Sequence, residues 1–323
     1  MSNLVADPNE QAPAVTLVPP GPGLQLLGAR EVPLGGPRAM VVRRTLPHRA
    51  RRTVGAWCFA DHYGPEEPGT GPGMHVPPHP HTGLQTVTWL FGGDVLHQDS
   101  LGSVQRIRPG ELNLMTAGRG IAHAEDSRPV ASPLHGLQLW IALPDAERNR
   151  EPGFEHHADL PVLAHDGVTV TVLVGTLDGA RSAATTFSPA LGAEVALTAG
   201  SAVRLELEAE FEHAVLTASS GVLVDGQAVP PSTLAYLDRR RRELTVGADG
   251  GPARCVLLGG TPFEEDLLMW WNFVGRDHDE IVQDRADWEA GRRFGEVAGY
   301  PDSRLAAPAL PTVRLRPRPP TPA

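Results

Sequence analysis

The stretch His79-Pro80-His81-Thr82-Gly83-Leu84-Gln85-Thr86-Val87-Thr88-Trp89-Leu90-Phe91, closed by Gly92-Gly93-Asp94, decides how this chain is read. Its second half is rich in β-branched and aromatic residues and stops at a turn signal, the mark of a short strand. Its first half sets two imidazoles at i and i+2, which on an extended backbone point to the same face. Pro80 favours an extended conformation at His79 and donates no ladder hydrogen bond, so the pair belongs at a strand start or an edge.

Outward from this stretch, short apolar runs recur at roughly ten-residue spacing, which predicts a barrel or a sandwich. They fall at residues 41–42, 56–60, 103–107, 112–116 and 137–143, with turn chemistry such as Arg108-Pro109-Gly110 between them. The Gly- and Pro-rich segment 63–78 reads as a loop. Gly (35) and Pro (32) exceed a fifth of the 323 residues, which disfavours long helices. A second strand series follows at residues 168–174, 193–197, 202–207, 211–217, 221–224 and 254–258. Between the series, the charged, His-containing segment reads as a linker. Ile281, Val282, Ala286, Trp288 and Glu289 have helical spacing. The expected organisation is an arm over residues 1–28, a first β domain over 29–145, a linker over 146–165, a second β domain over 166–278, and a C-terminal helix and tail over 279–323. The tail is expected to be disordered or draped on the surface, and Trp270, Trp271 and Phe273 to anchor it.

Thirteen histidines occur, and only His213 and His278 lie beyond residue 165, so any metal centre belongs to the first half. His123-Ala124-Glu125 repeats the i, i+2 geometry with a carboxylate. Converging from neighbouring strands, His79, His81, His123 and Glu125 would form a three-imidazole, one-carboxylate cage suited to a divalent first-row metal. Spacing alone leaves a second reading open, with His123 a capping or core histidine beside the turn Gly118-Arg119-Gly120. His75, His156 and His157 are expected to face solvent, His62 to orient its loop, and His97 to be structural although it could approach the pocket.

The formal net charge of -10 argues against direct nucleic-acid contact, and the run Arg239 to Arg242 reads as a solvated turn. Cys58 and Cys255 sit in apolar surroundings as buried thiols. No signal peptide and no apolar run of about 20 residues is visible, so a cytoplasmic protein without membrane contact is expected.

Four segments together resemble the pirins, a family of the cupin superfamily. They are Phe59-Ala60-Asp61-His62-Tyr63-Gly64-Pro65, His79 to Thr88, His97-Gln98-Asp99-Ser100-Leu101-Gly102, and Pro109-Gly110 followed by Met115 to Glu125. The match is strong over residues 30–145 and extends later only in layout. It implies an all-β bicupin, two antiparallel jelly-roll (cupin) barrels with a short C-terminal helix, the second barrel without metal. It also implies Fe(II), or another divalent first-row metal, on His79, His81, His123 and Glu125. Gln85 stands where many members of the superfamily have Glu. The implied activity is that of a flavonol dioxygenase such as a quercetin 2,3-dioxygenase, acting on an aromatic substrate and O2, with Glu125 as ligand and proton acceptor. Trp89, Phe91, Leu114 and Met115 would line the pocket or serve as ordinary core. The alternative is an iron- or redox-dependent regulatory protein that binds a transcription factor or metabolic enzyme without turnover.

Overall fold

The structure, a computed structural model, describes residues 23–34, 40–69, 73–128 and 132–320; residues 1–22 of the arm expected over 1–28 lie outside them. The described chain is built almost wholly of antiparallel strands, with a single α-helix at His278–Glu289. Each half forms two facing sheets of seven and four strands. Among the described residues no ladder joins the facing sheets, so each half is an open jelly-roll sandwich rather than a closed barrel.

In the first half, the seven-stranded sheet runs in the order Gly153–His157, Leu112–Thr116, Leu84–Gly92, Leu134–Ala142, Trp57–Glu66, Met40–Leu46, Arg30–Leu34. The smaller sheet runs His75–His81, Ile121–Ser127, Val95–Asp99, Val104–Ile107. Strand Leu84–Gly92 is buried on both faces along most of its length, because each face meets a different partner. Thr86 and Thr88 point into the first sandwich, while Gln85 and Trp89 reach the second half at Thr185 and Glu194. One hydrophobic core therefore contains Trp89, Leu137 and Leu139 of the first half together with Ala214, Leu216, Val256 and Leu258 of the second. The alternate residues Val215, Cys255 and Leu257 turn inward to the second sandwich's own core. Both cysteines are free and buried.

Several expected boundaries move. The segment taken as a linker contributes two edge strands: Gly153–His157 pairs with Leu112–Thr116, and Val162–His165 pairs with Val168–Val174. Edge strands carry charge on their open side, so by composition they look like a linker. The described end of the arm, Leu24–Gly28, pairs with Thr233–Leu237 as an edge of the second half's large sheet. The segment read as a loop is strand at both ends, up to Glu66 and from His75. The helix starts where Asp277 caps it, its side chain accepting from Glu280 N at 2.9 Å, and ends at Glu289 before Gly291 at φ +67°.

After the helix the chain returns to the first half and covers the outer face of the smaller sheet. Ala122 N donates to Phe294 O at 3.0 Å, and Leu305 N donates to Pro78 O at 2.8 Å. Ala122, Phe273, Ile281, Trp288 and Phe294 form a separate core there. Of the expected anchors, Phe273 is buried and Trp270 and Trp271 are half-buried. The tail is thus draped over residues 290–320, and its buried Leu305 and Ala307 fix it.

Candidate metal centre

The smaller sheet of the first half brings the expected ligands together through register. His123 lies opposite His79 on one neighbouring strand, and Glu125 lies opposite His97 on the other. A bulge between His123 and Glu125 adjusts the pairing with the His75–His81 strand. The ligand atoms of His79, His81 and His123 lie within 4.8 Å of one another, and so do those of His97, His123 and Glu125. His123 is common to both groups. His97, expected to be structural, therefore stands beside the centre: its Nδ1 is 3.3 Å from His123 Nδ1, Asp99 Oδ2 is 3.0 Å from its Nε2, and its ring stacks on Phe154 at 4.5 Å. The cross-strand register that places it cannot be read from a single histidine in a run.

These side chains are almost sealed from solvent, with His79 at 0% and His81, His123 and Glu125 at 1% exposure. At such burial an unmatched polar atom is costly, on the order of 1–3 kcal/mol. Yet His79 Nε2, His123 Nε2 and Glu125 Oε2 have no hydrogen-bond partner among the described residues. The neighbouring backbone explains which nitrogens are left over. Pro77 O lies 2.9 Å from His79 Nδ1, and Asn272 O lies 3.0 Å from His81 Nδ1. A carbonyl can only accept, so both Nδ1 atoms carry the proton and both Nε2 lone pairs are free to bind a cation. Thr88 Oγ1 lies 3.1 Å from Glu125 Oε1 and 3.0 Å from Gln138 Oε1, and donation of its one proton to Glu125 orients the carboxylate.

Burial also sets the charge. It pulls His79 down to about 3, with the Pro77 carbonyl opposing, and holds His81 and His123 well below the ordinary imidazole range, their histidine neighbours adding to the effect. Neutral imidazole is the form that ligates metal. Burial raises the Glu125 carboxyl, against His97 and the Thr88 hydrogen bond. Three buried imidazoles and a carboxylate with orphaned acceptor atoms fit a divalent first-row cation, which would satisfy them and restore a charged Glu125.

Other expected residues fall elsewhere. Gln85 donates to Thr116 Oγ1 at 3.0 Å and to Thr185 O at 2.9 Å, on the face turned to the second half, so its amide does not enter the centre. Trp89 and Leu114, paired through Val87 and Leu112 on that same outward face, are core, and Phe91 packs against His62 and His135. Met115 lies opposite inward-facing Thr86. The aromatic wall of the centre is instead Trp140, edge-on to His81 at 5.2 Å and stacked on Phe59 at 4.0 Å. His62 bridges Ser232 and His135 at 2.8 Å each. His75, His156 and His157 are half-buried against Asp126, Asn113 and Glu155, not free in solvent.

Comparison with known proteins agrees with this architecture. Residues 39–141 match the family profile described as Pirin, and residues 192–295 match that described as Pirin C-terminal cupin domain. A Pseudomonas aeruginosa protein that carries the provisional name quercetin 2,3-dioxygenase is 47% identical over 289 residues, covering 89% of this chain and 91% of that protein. Human Pirin is 31% identical, covering 80% of this chain and 89% of its own length. The crystal structure of a quercetin 2,3-dioxygenase from Acinetobacter baumannii aligns with a TM-score of 0.84 at 41% identity, covering 91% of this chain and 98% of that one. Two jelly-roll halves, a histidine–carboxylate cluster in the first of them, and profile matches across both place this chain in the pirin family, as a bicupin.

Proposed function

We propose that this protein is a dioxygenase that holds Fe(II) on His79, His81, His123 and Glu125 and opens a flavonol such as quercetin with O2. The observation that carries the reading is the set of buried, orphaned acceptor atoms at His79, His123 and Glu125, in a chain 41% identical to a solved quercetin 2,3-dioxygenase. A divalent metal bound there supplies Lewis acidity that favours the deprotonated 3-hydroxyl of a flavonol and brings O2 to the ring. The chain's own residues do the rest. Glu125, kept ionised by the cation it would help to hold, is the proton acceptor for that hydroxyl. Thr88 holds the other carboxylate oxygen so that Oε2 faces the cage. Trp140, buried and braced by Phe59, packs edge-on to His81 and fixes that side of the cage. The near-complete burial of the cluster excludes water from the reacting groups. Two free, buried thiols support a cytoplasmic setting.

The test is O2 uptake by anaerobically Fe(II)-loaded protein on addition of quercetin, with His123→Ala alongside. Uptake stoichiometric with flavonol loss, absent in the variant, is the expected result. No uptake from protein shown to hold one iron would sink the dioxygenase and leave a metal-dependent role in binding a regulatory or metabolic protein partner.

A further inference from the structure

The tail carries arginine at alternate positions, Arg314, Arg316 and Arg318, beyond the last residue matched by the family profiles. Main-chain hydrogen bonds fix this segment. Leu267 N donates to Arg318 O at 3.0 Å and Arg318 N to Leu267 O at 2.9 Å, while Arg52 N donates to Pro320 O at 2.9 Å. Leu315 N donates to His278 Nδ1 at 3.1 Å. The tail is thereby held against Arg30, Arg49 and Arg52, and the six arginines line one cavity of about 590 Å³.

A chain with net charge -10 has placed six of its 28 basic residues, all arginine, in that cleft. Arg314 is neutralised by Asp279 through contacts of 2.8 and 3.1 Å. Arg49, Arg52, Arg316 and Arg318 form no ion pair among the described residues. Asp266, exposed nearby, is the carboxylate that opposes the field at Arg52. Burial and the Arg318 guanidinium outweigh it and hold Arg52 below its ordinary range. Burial, Arg30 and Arg49 likewise lower His48, so the positive charge of the cleft resides on guanidinium groups.

A run of arginines on one strand would be an ordinary solvated face. Here three separate segments converge, in a concavity of the size that takes a small molecule. Its floor is apolar, with Leu268 buried and Met269 and Leu315 half-buried. Guanidinium forks match phosphate oxygens in pairs, and an apolar floor matches an organic ring. We propose that this cleft binds a small organic polyphosphate of the nucleoside diphosphate class, its phosphates held by Arg49, Arg52, Arg316 and Arg318 and its base laid on Leu268, Met269 and Leu315. The site is separate from the metal centre and stands whether or not the dioxygenase reading does.

Calorimetric titration with ADP at low salt tests it, on the full chain and on the Arg316→Gln/Arg318→Gln and Arg52→Gln variants, with folding checked by circular dichroism. The expected result is one saturable site for ADP that weakens as salt rises, with affinity reduced about tenfold or more in the double variant. Adenosine, which lacks the phosphates, should not saturate the site. The proposal is overturned if ADP does not bind, if folded variants bind ADP as the parent does, or if adenosine binds as tightly as ADP. Tighter binding of a single-stranded oligonucleotide at the same arginines would overturn the small-molecule assignment in favour of nucleic acid.

Discussion

At the scale of single residues, the centre depends on groups that never touch the cation as much as on those that would. Thr88 fixes Glu125 from the opposite sheet, so Thr88→Val, which keeps the shape and removes the hydroxyl, should weaken metal binding by about tenfold while leaving the fold intact. Competition with a chelator reads this directly, and unchanged affinity would remove Thr88 from the site. The carbonyl of Asn272 serves His81 in the same way, and it reaches there because Gly83 allows it. Gly83 sits at φ +70°, and a Cβ at that position would lie 2.0 Å from Val274 O. Gly83→Ala should therefore push the Leu268–Gly275 hairpin away, lowering stability by several kcal/mol on the order of known backbone clashes. A denaturant melt showing parent-like stability would contradict this. The two i, i+2 pairs, His79 with His81 and His123 with Glu125, were legible because spacing on a strand is a local property. Thr88, Asn272 and His97 were not, since each is chosen by pairing between segments far apart in sequence.

At the scale of elements, the doubly buried strand Leu84–Gly92 announced itself and the edge strands at the connection did not. The edge strands Val104–Ile107 and Ala202–Glu206 were legible, while the interior strands Thr233–Leu237 and Glu243–Ala248 were not. Leu84–Gly92 carries the unbroken apolar and β-branched signal of a strand buried on both faces. Gly153–His157 and Val162–His165 carry the polar signal of a linker, because an edge must stay soluble on its open side. The C-terminal helix was legible from its period, but its task was not. It presents buried Ile281, Asp284 and Trp288 to the first half, where Thr82 donates to Asp284 Oδ2 at 2.7 Å and Trp288 Nε1 donates to Leu305 O at 2.7 Å. Trp288 is 1% exposed, so Trp288→Ala should cost about 3–5 kcal/mol. Because this core lies directly behind the strand that carries His123, the variant should also release metal faster. A urea melt and a chelator-driven release rate, measured on the same sample, check both halves of that expectation.

At the scale of the whole molecule, the halves are bonded through buried polar contacts across their large sheets. Trp57 Nε1 donates to both Leu191 O and Gly259 O at 3.1 Å, and Glu212 accepts from Gly55 N at 2.9 Å. The His62–His135 pair lies on the same junction, beside Ser232. Burial pulls His62 down to about 3 and His135 to about 4, with Arg43 and Arg254 respectively the next causes. Their folded values lie below the unfolded one near 6.5, so the unfolded state takes up protons first. The stabilising contribution is complete above about pH 6.5 and is lost as pH falls through 4 and 3, with a slope for His62 of at most about 1.4 kcal/mol per pH unit. Thermal melts across that range should show the fall, and His62→Gln should flatten it; an unchanged slope would assign the acid sensitivity elsewhere.

The two halves have also exchanged material. Residues 24–28 supply an edge of the second half's sheet, and residues 294–305 cover the outer face of the first half's smaller sheet. Severing the chain in the short connection at residues 158–161 would therefore leave two fragments, each missing a piece held by the other. Produced separately, they should aggregate at the uncovered surfaces; produced together, they should recombine into a particle of parental size that binds metal. The fold is in this sense a natural substrate for fragment complementation, and the bicupin is indivisible as a folding unit although it is double in plan.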